Sequence, residues 1–144
     1  MSNAHDSTAR SAHAAPHVLD VGNCAADHAV LRGMLVDRFD ARVDRAGSAE
    51  EALSALTRRR YALVLVNRVV FDDGGDGMAL IERMQADDRF RDTPVMMISN
   101  HADAQERAVG AGALRGFGKS SLDDPATLER LACHLGDAAP RRRA

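Results

Sequence analysis

Of the 19 cationic side chains in this 144-residue chain, 18 are arginine and one is lysine, Lys119. Lys119 stands in Gly118-Lys119-Ser120, the end of the segment Ala113–Ser120 (ALRGFGKS). With alanine for the first glycine, that segment approximates a phosphate-cradling loop in which backbone N–H groups and a lysine hold a nucleotide. Such a loop needs a strand before it and a helix straight after it. Here a helical pattern precedes it, the segment itself reads as a strand, and the next helix waits for Asp123-Asp124-Pro125. The most apolar strand ends in Asn67, so no strand-end aspartate is supplied for magnesium. Nucleotide binding at Gly118-Lys119-Ser120 is therefore a lesser alternative.

Carboxylates offer a second chemistry. Asp72, Asp73 and Asp76 in FDDGGDG resemble a calcium loop at first sight. The pattern fails, because Gly74 replaces the second ligand and Arg83 stands where the closing glutamate belongs. A flexible acidic loop is the expectation. Asp20 lies inside an otherwise apolar strand, on the same face as Gly22. A buried carboxylate needs a partner, and an arginine or His17 is expected to supply it. The six histidines (His5, His13, His17, His28, His101, His134) show no ligand spacing. Cys133, on the last helix, is expected to be buried, and Cys24 to be exposed near the strand ends. Neither has a nucleophile's partner in the sequence.

The elements that must position these groups alternate. The apolar runs His17–Val21 (HVLDV), Ala62–Val66 (ALVLV) and Val95–Ser99 (VMMIS) predict strands, the last two apolar on both faces as in buried parallel strands. Ala41–Ala46 and Leu114–Gly118 are weaker strands. Ala26–Phe39 predicts a helix with Val30, Leu31, Met34 and Leu35 on one stripe. Ser48–Arg58 begins with an N-cap serine and has Glu51 three residues on, as in a capping box. Met78–Ala86, Asp103–Ala111 (stopped by Gly112) and Pro125–Leu135 complete five β-α repeats. Such alternation means a parallel sheet covered on both sides, an α/β three-layer sandwich.

Composition removes several function classes. Aromatics are 3% of the chain, with no tryptophan, too few for a base-stacking platform. No apolar run approaches the roughly 18 residues of a spanning helix, so no membrane association is expected. Two cysteines do not make a secreted disulfide scaffold, and the N-terminus lacks an apolar signal core, so a cytoplasmic protein is expected. Residues 1–15 are expected to be a disordered tail, 16–137 one domain, and 138–144 a short basic tail. Removing Arg10 and Asp6 from the first tail and Arg141, Arg142 and Arg143 from the last leaves 15 basic and 20 acidic residues. That body charge of -5 disfavours nucleic acid.

In open α/β sheets, ligands bind beyond the carboxyl ends of the strands. Those ends carry Gly22 and Asn23, then Asn67, then Ser99 and Asn100, and finally Lys119. The pieces HVLDVGNCAADHAVL, SAEEALSAL, YALVLVN…GMALIERM, TPVMMISNHAD and GALRGFGKS fall in the order and spacing of a response-regulator receiver domain. The resemblance covers nearly all of residues 16–136. It implies the CheY-like, flavodoxin-like doubly wound fold of five parallel strands, (βα)5.

The resemblance also implies a site with five parts. Two acids after strand one hold magnesium, an aspartate ending strand three accepts a phosphoryl group, and a Ser/Thr and a Lys contact the phosphate. The acid positions map to Gly22 and Asn23 and the acceptor to Asn67; Ser99 and Lys119 match. Phe117 maps to the strand-five aromatic that turns inward in typical receivers; its other reading is a plain core aromatic. Ser120 stands where a proline usually follows the lysine, and the loop after Asn67 is about two residues longer than usual. A hard divalent cation wants anionic oxygens, which Gly and Asn do not supply, and a carboxamide is a poor nucleophile. Asn67 either closes the sheet end as a satisfied polar group or locks one conformation of the output surface. Lys119 is expected to meet the Asn67 amide oxygen, a stray carboxylate or solvent.

The expectation is a degenerate, stand-alone pseudo-receiver without metal, cofactor or enzymatic activity. It would work by protein–protein recognition or self-association, as a homodimer, through residues of about 103–136. The rival is a phosphorylatable receiver in which Asp20, Asp72 or Asp73 replaces the missing acids.

Overall fold

The computed structural model describes residues 15–69 and 75–140. Five strands, β1 (His17–Val21), β2 (Arg42–Ala46), β3 (Leu63–Asn67), β4 (Val95–Ile98) and β5 (Leu114–Phe117), alternate with five helices. The helices are α1 (Ala25–Phe39), α2 (Ala49–Arg58), α3 (Gly77–Gln85), α4 (Ala102–Gly110) and α5 (Pro125–Leu135), and Lys119–Ser121 forms a 3-10 turn. All strand pairs are parallel, in the order β2-β1-β3-β4-β5. The fold predicted from the alternation is the fold observed.

Strand parity divides the core into two layers. Leu19, Val21, Val64, Val66 and Met97 face α2, α3 and α4, meeting Leu56, Leu80, Ile81 and Ala108. Val18, Leu63, Leu65, Met96 and Ile98 face the other way, onto Leu31, Leu35 and Phe39 of α1 and Leu131 of α5. The central strand β3 is buried on both faces from Leu63 to Val66, which is why its sequence reads as a continuous apolar run. Edge strand β2 exposes Arg42, Asp44 and Arg45, charges that discourage pairing with another chain.

Local chemistry sets the helix ends. Ser48 Oγ accepts from the Glu51 N–H at 3.2 Å, while Glu51 Oε1 accepts from the Gly47 N–H at 2.7 Å, one residue earlier than a standard capping box. Gly112 follows α4 at φ 111°, a conformation that favours glycine. The β4–β5 pairing shifts register between Met96 and Ile98, and Gly116 lies so close to the Met97 carbonyl that a Cβ would clash. There the buried Gln105 side chain of α4 takes over the backbone bonding: Nε2 donates to Met97 O at 2.9 Å and Ser99 O at 3.1 Å, and Oε1 accepts from the Gly116 N–H at 2.9 Å.

Two packing expectations are corrected. Val30 is 62% exposed, because α1 is rotated to bury Leu31, Met34 and Leu35 instead. Cys133 is exposed, since α5 buries Thr127, Leu131 and Leu135 and turns residue 133 outward. Beyond α5 the chain folds back on α1: the Ala139 N–H donates to Arg38 O at 2.6 Å, and Arg38 Nε returns a bond to Ala139 O at 2.7 Å. The tail expected at residues 1–15 lies, but for Ala15, outside the described residues, as do Arg141, Arg142 and Arg143.

Candidate functional site

At the carboxyl ends of the strands, Asn67, Arg68, Ser99, Asn100, His101 and Lys119 line a cleft of about 210 Å3. Parallel pairing sets Asn67 of β3 beside Ile98 of β4, so Ser99 falls at the rim next to it. Ser99 is tied down by its own N–H, which donates to Phe117 O at 2.9 Å, and its Oγ accepts from the His101 N–H at 3.1 Å. Asn100 Oδ1 accepts from Ser120 Oγ at 3.0 Å, holding the 3-10 turn that carries Lys119. Gly118 leaves room for that amide, since any Cβ there would strike Asn100. Phe117 is buried in the α1/α5 layer.

Neither acid position lines this cleft; Asn23 shares a smaller pocket of about 90 Å3 with Asp27 and Lys119, and Lys119 lines both. Gly22 sits at φ 84° and bonds through its backbone N–H to Ala46 O at 2.8 Å. Asn23 is 1% exposed and donates through Nδ2 to Asp20 Oδ1 at 2.6 Å. Asp20 is fully buried on the α1 face of the sheet, and its second oxygen meets His28 Nδ1 at 2.6 Å. This corrects the expectation that an arginine or His17 would serve Asp20. His17 instead lies against Arg59, at 3.1 Å from its guanidinium. Asn67 donates through Nδ2 to Val69 O at 2.6 Å, closing its own loop. Lys119 Nζ lies 2.7 Å from Asp27 Oδ2 on the first turn of α1, and the Asn67 amide is not its partner. That ammonium holds the Asp27 carboxyl below the usual carboxylate range, mainly by its hydrogen bond.

A divalent cation does not fit these donors. Gly22, Asn23 and Asn67 bring no charge, Asp20 is spent on Asn23 and His28, and Asp27 is held by Lys119. Asp76, expected in an acidic loop, caps α3 by accepting from the Met78 N–H at 2.9 Å. Asp72 and Asp73 lie outside the described residues. No cluster of three or more metal-ligating side chains occurs among the described residues. The phosphate-loop alternative lacks its geometry, because Lys119 follows β5 on a 3-10 turn and the next α-helix starts only at Pro125.

Sequence reasoning missed His28, Asp27 and Gln105. His28 and Asp27 carried a weak signal, being polar residues on the first turn of the helix that follows β1; Gln105 carried none.

This topology and core define the CheY-like, flavodoxin-like α/β fold. Among solved structures, a protein described as a response regulator from Chloroflexus aurantiacus superposes with TM-score 0.69 at 20% identity, covering 85% of this chain and 98% of that one. The Vibrio cholerae chemotaxis protein CheY4 gives 0.67 at 17%, covering 85% and 99%. The receiver domain of the Pseudomonas aeruginosa sensor histidine kinase PA1611, solved with magnesium in its active-site cleft, gives 0.66 at 22%, covering 86% and 100%. At these identities the likeness establishes the fold. No family model matches the sequence, and the comparison with curated proteins finds no match. No helix among the described residues is long and apolar enough to cross a membrane.

Proposed function

We propose that this chain is an atypical receiver-like module of a two-component or phosphorelay type of system, acting without phosphorylation through contact with a protein partner. The carrying observation is where the amide of Asn23 and the ammonium of Lys119 point. Each donates to a carboxylate of this chain, Asn23 Nδ2 to Asp20 and Lys119 Nζ to Asp27, while Asn23 Oδ1 is buried with no hydrogen-bond partner among the described residues. The PA1611 receiver holds magnesium in its cleft; the positions that the receiver resemblance assigns to the cation and phosphoryl acceptor here, Gly22, Asn23 and Asn67, bring no carboxylate. The Asn23–Asp20 hydrogen bond and the Lys119–Asp27 ion pair give both groups partners within the chain, and any remaining switch is a population shift driven by a partner.

The surface assigned to that partner, or to a second copy, is the face of α4, β5 and α5, about residues 103–136. Val109 and Leu114 are 39% and 41% exposed there, apolar side chains available for burial. Gln105 ties this face to β4, so it presents a rigid outline.

The test is beryllofluoride with magnesium, followed by amide NMR. The expected result is no adduct and no shift at Asn67, Ser99 or Lys119. Saturable shifts at those residues would overturn the reading in favour of a phosphorylatable receiver. Asn67→Asp is likewise expected to stay inert toward acetyl phosphate, because Gly22 and Asn23 still cannot hold the metal; efficient phosphorylation of that variant would count against the proposal.

A further inference from the structure

At the opposite end of the sheet, where the strands begin, an open cleft of about 770 Å3 lies between the α2–β3 turn and the α3–β4 loop. Clefts of roughly 300–1,000 Å3 are the size that takes small molecules. Arg58, Arg59, Arg60 and Arg89 line it, and Asp92 is the one carboxylate on its wall.

The four arginines are not equivalent. Arg59 Nε lies 3.7 Å from Asp44, and Arg89 grips Asp87 through two nitrogens at 3.1 and 2.8 Å. Arg58 donates to the neutral Ser54 Oγ at 2.7 Å, and neither it nor Arg60 makes an ion pair among the described residues. The last turn of α2 carries a partial negative charge of about half an electron, which accounts for one cation and not for three in succession.

We propose that this cleft binds a small molecule with one phosphate monoester and neighbouring hydroxyls, of the nucleoside monophosphate class. Two unneutralised guanidiniums match the two charges of a phosphate dianion, and their planar forks suit its oxygens. Asp92 accepts hydroxyls and repels additional phosphates. The Arg89 guanidinium, which lies 4.7 Å over the Phe90 ring, and Pro94 give the cleft a flat wall against which a base packs. The body charge of -5 turns away long polyanions, which selects the small ligand over nucleic acid. This site is independent of the cleft at Asn67 and of the reading given to it.

The test is calorimetry of the full chain with AMP, adenosine and inorganic phosphate. AMP is expected to bind saturably, at least tenfold more weakly to Arg58→Gln/Arg60→Gln, and unchanged to Lys119→Gln. Adenosine is expected to give no heat, and inorganic phosphate to bind more weakly than AMP. Arg60→Gln alone, an exposed change with no ion pair to lose, repeats the test if the double variant folds poorly. Absence of saturable AMP binding, equal binding by the arginine variants, or phosphate binding as tightly as AMP each overturns the proposal. Loss of binding in Lys119→Gln alone also overturns it, by moving the ligand to the other end of the sheet.

Discussion

Asn23 and Asp20 stand three residues apart across the end of β1, and the amide of the first donates to the buried carboxylate of the second at 2.6 Å. An acid at position 23 would bring a second negative charge to that distance. The neutral residue at this rim position spares the buried Asp20 carboxylate a like charge at hydrogen-bond distance.

Asn23→Asp is therefore expected to destabilise the fold by at least about 2 kcal/mol, as an uncompensated buried charge does. Urea unfolding at neutral pH measures it. A stability equal to the parent's would mean that the Asn23–Asp20 bond does not constrain the site.

Lys119→Met should release Asp27. The folded carboxyl lies below its ordinary value of 3.8, so its stabilisation is present above that value and is lost as pH falls through the lowered one. In the variant the Asp27 titration moves up toward 3.8, read by carboxyl NMR. The stability change stays below about 1 kcal/mol, because both side chains are part-exposed. An unmoved Asp27 would remove Lys119 as the cause.

Tyr61 is the chain's one tyrosine, and there is no tryptophan, so tyrosinate absorbance reports on it alone. Burial first, and then its hydrogen bond to Asp44 at 2.5 Å, push the phenol up to about 12. A folded value raised above the ordinary 10.0 means that its stabilisation is intact below pH 10 and is lost as pH rises toward 12. Absorbance titration of the native protein should show a midpoint near 12. A midpoint near 10 in folded protein would contradict the buried pair.

Gln105→Leu keeps the volume and removes the bonds to Met97, Ser99 and Gly116. The buried Gly116 N–H then loses its acceptor, at an expected cost of about 2–3 kcal/mol. Amide exchange should accelerate first at Gly116 and along β5. Unchanged protection there would show that α4 does not hold this face.

The strands and helices were legible in the chain because their signals are local. An apolar run such as Leu63–Val66, too short for a helix, reads as a strand buried on both faces, and Ser48 with Glu51 marks a helix start within one turn. The absence of acids at Gly22, Asn23 and Asn67 was equally plain, being a matter of residue type. The sequence did not determine where the polar groups would aim. Lys119 reaches Asp27 across 92 positions, and Asp20 finds His28 only because α1 turns that residue toward the sheet. Helical periodicity placed Val30 with the core residues of α1, yet the packed helix turns it outward; which flank of a stripe is covered depends on the neighbouring element. The arginine cleft likewise needs the α2–β3 turn and the α3–β4 loop brought side by side. Propensity and patterning act over a few residues, whereas the pairing of distant charges is decided by how layers pack.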